Sequence, residues 1–79
     1  MRSYFTRAGR SARSGSLGDC VAWAMARHAE TGAPVQLFTA RPGSVNAILV
    51  GEVADGSYRR ATVRITTAVK SLVAAARHG

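Results

Sequence analysis

Residues 35–65 read VQLFTA-RPGS-VNAILVGEV-ADG-SYRRATVRI, and this stretch decides the fold. Val35–Ala40 is rich in β-branched and aromatic side chains, which is strand composition. Arg41-Pro42-Gly43-Ser44 is a turn by its Pro-Gly pair. Val45–Val53 is the most apolar run of the chain and predicts a central strand, with Gly51 marking a bulge or a strand end. Ala54-Asp55-Gly56 suits a hairpin connection. Ser57–Ile65 then alternates: Ala61, Val63 and Ile65 fall on one face, and Tyr58, Arg60, Thr62 and Arg64 on the other. Two short connections between three such runs predict a small, mostly antiparallel three-stranded sheet.

The flanks supply helices. Asp19–Thr31 is the strongest helical segment, with Val21, Ala24, Met25 and His28 on one stripe. Asp19 is a good N-cap, and Ser16 with Asp19 is an alternative capping box. Gly32 suits the C′ position, and Pro34 prevents continuation. After the third strand, Thr66 or Thr67 caps a terminal helix carrying Val69, Leu72, Val73 and Ala76 on one side. Arg77 and His78 suit its negative end. Residues 1–16 are rich in Arg, Ser and Gly and read as a basic flexible arm. The expected organisation is that arm followed by a single α+β domain over residues 17–79.

Size and charge bound the function. The chain has 79 residues, one cysteine, and a net charge of +7 from 11 Lys+Arg against 4 Asp+Glu. Chains this short bury only about 60% of their unfolded surface, which excludes a large enzyme with a deep enclosed pocket. One cysteine excludes an intramolecular disulfide and a multi-cysteine zinc site. Folding without such staples points to a reducing compartment, the cytoplasm. No apolar run approaches the roughly 18 residues of a membrane span, and Met1–Arg7 has no apolar signal core. Ten of the 11 cations are arginine. Residues 1–18 carry four arginines and no acid, whereas residues 57–79 carry Arg59, Arg60, Arg64, Lys70 and Arg77 and no acid. Two basic ends flanking a mildly acidic middle favour a polyanionic or acidic partner.

Cys20 is the candidate for chemistry. At the first turn of a helix, backbone N–H groups and the helix dipole stabilise a thiolate. A thiol nucleophile also needs a general base within hydrogen-bond reach. His28 lies eight residues along the same helix, about 12 Å away at 1.5 Å per residue, and cannot supply it. His78 reaches Cys20 only if the last helix ends beside the first. There is no P-loop, no catalytic carboxylate pair and no metal cluster in the sequence pattern. Arg60 and Arg64 with Tyr58 line one sheet face, the pattern of a nucleic-acid surface, while Arg59 projects to the other side. No helix-turn-helix, zinc-finger or RNP motif accompanies it.

Gly18-Asp19-Cys20-Val21-Ala22-Trp23-Ala24, followed by His28-Ala29-Glu30-Thr31-Gly32-Ala33-Pro34-Val35 and the hairpin Asp55-Gly56-Ser57-Tyr58, resembles small phage and bacterial proteins of the papain-like (NlpC/transglutaminase-like) class. In that class a Gly-x-Cys-x-x-aromatic-Ala helix start precedes a Thr-Gly-x-Pro helix end. The resemblance covers about residues 18–58 and implies a papain-like core with Cys20 at the nucleophile position. Where the class places a strand histidine, this chain has Asn46, and an amide accepts no proton at neutral pH. The resemblance therefore implies a core without peptidase activity. A small, basic, catalytically stripped chain of this type is similar to phage anti-CRISPR proteins, including those directed at type I-C systems.

What that resemblance implies is a non-enzymatic inhibitor, acting in the cytoplasm of the host bacterium without cofactor or metal. It would bind a type I CRISPR effector (Cascade) complex and block target DNA binding. The expected binding residues are Arg59, Arg60 and Arg64 with Tyr58, then Arg7, Arg10 and Arg13. Two other readings stand beside it: a minimal Cys20-dependent amidohydrolase or peptidase, and a free-standing nucleic-acid-binding protein.

Overall fold

The computed structural model describes residues 3–41, 43–62 and 66–68. In chain order these form β1 (Ser3–Ala8), β2 (Ser11–Gly15), α1 (Leu17–Thr31), β3 (Val35–Ala40), β4 (Asn46–Ala54), β5 (Ser57–Arg60) and β6 (Thr66–Ala68). The strands make one six-stranded sheet in the order β2-β1-β3-β4-β5, and β6 pairs with β4. Every pairing is antiparallel. The α+β class expected from the sequence is present, with a sheet larger than the three strands expected.

The first enlargement comes from the segment read as an arm. Residues 3–15 are a hairpin, and its first strand sits inside the sheet between β2 and β3. Gly9 makes the turn at φ 60°, a left-handed value that suits glycine at the first central position of a two-residue loop. Tyr4, Thr6 and Ala8 then alternate with Phe5 and Arg7 across the two faces. Two buried threonines tie β1 to β3. Thr6 Oγ1 donates to the Gln36 carbonyl, and Thr39 Oγ1 donates to the Ser3 carbonyl, both at 3.0 Å. The route from β2 through α1 to β3 crosses over β1 and brings the helix down on one face of the sheet.

Helix α1 starts at Ser16, whose hydroxyl accepts from the Asp19 N–H at 3.2 Å. Asp19 is therefore an acid of the first turn, where it complements the dipole, and Ser16 is the cap. Gly32 closes the other end at φ 75° with its N–H on the His28 carbonyl. Cys20 and Ala24 are the buried residues of the helix, and they meet Val35, Leu37 and Val53 in the main core. Burying each of these three aliphatic side chains contributes about 1.5–3 kcal/mol. Tyr4, Ala8, Leu17, Val21, Trp23, Met25 and Tyr58 pack around them.

A second apolar cluster occupies the opposite face: Phe38, Ala40 and Ala47, with Phe5 and Leu49 against them. Strand β4 serves both clusters because its register shifts. Leu37 pairs with Gly51 but Phe38 pairs with Leu49, so Val50 is an extra residue, a β-bulge. Ala47 and Leu49 therefore face one way, and Gly51 and Val53 the other.

The Asp55-Gly56 connection has both residues at positive φ (52° and 78°), the geometry of a type I′ hairpin turn. The third expected strand is broken. β5 ends at Arg60, and Thr66–Ala68 forms β6 on the same edge of β4, out of step with β5. Thr66 and Thr67 thus belong to a strand, where a helix cap was expected. The terminal helix expected beyond them, with Val63, Arg64 and Ile65, lies outside the described residues.

Gly51 is the tightest point of the sheet. A Cβ there would stand 2.5 Å from the Arg59 carbonyl oxygen and 2.6 Å from the Tyr58 ring. Gly51→Ala is expected to destabilise the fold by about 2–3 kcal/mol in urea denaturation. A Tyr58→Ala background should not rescue it, because the backbone oxygen remains.

Candidate functional site

Cys20 is the fourth residue of α1, and its N–H makes the first helical bond, to the Ser16 carbonyl at 3.0 Å. The side chain is fully buried, and Sγ–H points at the Arg13 carbonyl at 4.0 Å. Burial pushes the thiol pKa up, and the Asp19 carboxylate pushes it further, while Arg13 opposes both. The activating effect expected at a helix start is outweighed by loss of water and by a carboxylate on the neighbouring residue.

His28 is fully engaged elsewhere. Its Nδ1 lies 2.8 Å from the Ala33 carbonyl, and its Nε2 accepts from the Gly56 N–H at 3.1 Å. These two bonds require the tautomer protonated on Nδ1. The ring pins the end of α1 to the β4–β5 turn. Asn46 sits at the first position of β4 with an exposed side chain. His78 lies outside the described residues. Among the described residues, no three His, Cys, Asp or Glu side chains gather as metal ligands.

The candidate arginines divide between the β1–β2 hairpin and the β5 edge of the sheet. Arg7, Arg10 and Arg13 belong to the β1–β2 hairpin. Arg7 is exposed on the face opposite α1, and Arg13 pairs with Thr6 on the helix side. Arg59 and Arg60 are exposed on β5, the other edge. At about 4.8 Å per strand spacing, Arg13 on β2 lies roughly 19 Å from β5 across four spacings, and Arg7 on β1 roughly 14 Å across three. Within β5 the expected alternation holds: Arg59 pairs with Glu52, whereas Arg60 pairs with Gly51, on the side of Tyr58. Arg59 and Arg60 also line a shallow cavity of about 240 Å³ with Leu49, Gly51, Glu52, Ala61 and Thr62. Arg64 lies outside the described residues.

Tyr58 is a packing residue as much as a surface one. Its ring covers Gly51, and its hydroxyl is buried without a hydrogen-bond partner among the described residues. Burial pushes its pKa up, with Arg60 pulling the other way. Arg27, which the sequence reading passed over, docks α1 on the hairpin. It bonds Ser11 Oγ, pairs with Glu30 at 3.1 Å, and lies 5.4 Å from the centre of the Trp23 ring. Only the i,i+3 spacing of Arg27 and Glu30 was visible beforehand.

A second cavity lies at the opposite end of β4. About 300 Å³ in volume, it is lined by Thr39, Ala40, Arg41, Ser44, Asn46, Ile48 and Thr66. The loop beside it is closed by the Ser44 N–H on the Arg41 carbonyl at 3.0 Å, with Gly43 at φ 79°.

Compared with known proteins, the chain matches no family model, no curated protein and no solved structure.

Two outcomes follow from the Cys20 environment. A thiol reagent at pH 7 should label the folded chain at least about 100-fold more slowly than the urea-unfolded chain, as protection by burial requires. The unfolded thiol ionises near 8.5, below the folded one. The folded state therefore holds its proton longer, and stability is expected to fall as pH rises through about 8.5 and above. Cys20→Ala should flatten that part of a urea-midpoint profile against pH.

Proposed function

We propose that the chain is a non-catalytic, cationic binding module that docks on an acidic or phosphate-bearing surface through the β5 edge. The observation that carries this reading is a contrast in exposure. Cys20 is sealed in the core with a raised pKa, while Arg59 and Arg60 stand exposed on both sides of an edge strand. A nucleophile needs access and a base, and Cys20 has neither among the described residues. Arginine forks on a rigid strand grip carboxylates or phosphates with little further ordering.

Carried with the sequence resemblance, the target is a type I CRISPR effector complex, and the effect is to block its access to target DNA. The hairpin arginine Arg13 lies on the far edge strand β2, and Arg7 on its inner neighbour β1. Their contribution is to speed encounter through the overall field and not to share one contact with Arg59 and Arg60. The papain-like core belongs to this reading as well. Its support is Cys20 near the start of a helix packed on an antiparallel sheet, with Asn46 at the start of a later strand.

The test is target-DNA binding by a purified type I-C effector complex with the protein added. Wild type and Cys20→Ala are expected to inhibit equally. The Arg59→Glu/Arg60→Glu variant, with an unchanged circular dichroism spectrum, is expected to lose at least about tenfold in inhibitory potency. A folded double variant that inhibits like wild type overturns the β5 assignment, and dependence on Cys20 overturns the non-catalytic reading.

A further inference from the structure

The cavity beside the Arg41–Ser44 turn has a division of labour among its polar groups. The Thr39 hydroxyl is spent on the Ser3 carbonyl. The Ser44 hydroxyl is spent on the loop itself: it donates to the Asn46 carbonyl at 3.0 Å and accepts from the Asn46 N–H at 3.2 Å. These bonds, with the Ser44 N–H on Arg41, hold the rim in one conformation. Three polar side chains then remain with no partner among the described residues: the Arg41 guanidinium, the Asn46 amide and the Thr66 hydroxyl. All three are exposed, and all three offer donors. No carboxylate is among the lining residues, and Ile48 provides apolar surface beside the donors.

We infer that this cavity binds a phosphate ester. Arg41, Asn46 and Thr66 take the phosphate oxygens, and Ile48 takes the organic part. A planar carboxylate is satisfied by the guanidinium fork alone, whereas a phosphate presents further oxygens that the amide and hydroxyl can reach. At about 300 Å³ the space falls at the lower end of small-ligand sites, larger than a bare ion requires. The preformed rim reduces the ordering needed on binding. Asn46 thereby gains a role as a ligand-binding amide, at the position where the papain-like class places its histidine. The inference is independent of the effector-docking surface, which uses other residues on β5.

The experiment is an amide-resolved NMR titration at constant ionic strength with inorganic phosphate, adenosine monophosphate, uridine monophosphate and acetate. Wild type is compared with Arg41→Gln, Asn46→Ala and, as a control for general charge, Arg59→Gln. The spectra themselves report whether each variant is folded. The nucleoside monophosphates are expected to shift the amides of Arg41, Ser44, Asn46 and Thr66 saturably and to bind more tightly than inorganic phosphate. Arg41→Gln is expected to weaken them by about tenfold, a charged hydrogen bond's worth, and Arg59→Gln to leave them unchanged. Absence of a saturable shift, acetate binding as tightly as the esters, or equal losses from Arg41→Gln and Arg59→Gln would each overturn the site. Equal affinity for inorganic phosphate and the esters would overturn the assignment of an organic part.

Discussion

The extra residue at Val50 is the constraint on which the rest of the sheet depends. A regular strand has a period of two, so a register change of one residue moves every later side chain to the other face. By inserting Val50, β4 places Val53 against α1 and Ala47 with Leu49 on the opposite face. One nine-residue strand thus serves both apolar clusters. The residue after the bulge is Gly51, and the Tyr58 ring lies where a side chain would be. Closure there fixes β5 against β4 and sets Arg59 and Arg60 on opposite sides of the edge.

The parts of this arrangement that rest on local chemistry were legible in the sequence. Gly32 ends the helix in the left-handed region, Asp55-Gly56 makes the hairpin turn, and Pro-Gly chemistry marks the turn at Arg41–Ser44. Each is dictated by backbone preferences within a few residues. What was not legible depended on partners far along the chain. Ser3–Gly15 has the composition of a loop, and becomes sheet because β3 supplies a second partner for β1, with Thr6 bonding Gln36 and Thr39 bonding Ser3. Gly9-Arg10 was the one local signal of that hairpin. The break after Arg60 was likewise invisible, since the alternation of Ser57–Ile65 is consistent with one continuous strand.

The site was read with similar unevenness. The helix-start position of Cys20 and the alternation of Arg59 and Arg60 followed from periodicity and are present. The direction of the Cys20 pKa did not follow, because it depends on burial by Val35, Leu37 and Val53 and on the Asp19 carboxylate. The described arginines of the two charge blocks lie on the β1–β2 hairpin and on β5, at opposite ends of the strand order, a separation that sequence order could not reveal. His28 lay on the apolar stripe of the helix, and its two hydrogen bonds make it a clasp between α1 and the Asp55-Gly56 turn.

The inside position of β1 also bears on how the chain is born. Its two neighbours are unequal in sequence: β2 follows after a two-residue turn, but β3 begins only at Val35. During synthesis from the N-terminus, the β1–β2 ribbon emerges with one side of β1 unpaired, and an isolated two-stranded ribbon is marginal in water. Such a bare strand edge invites pairing with other nascent chains. Arg7, Arg10 and Arg13 lie on this ribbon, and its described residues include no acid. Like charges on such ribbons repel one another, which opposes edge-to-edge pairing until β3 arrives.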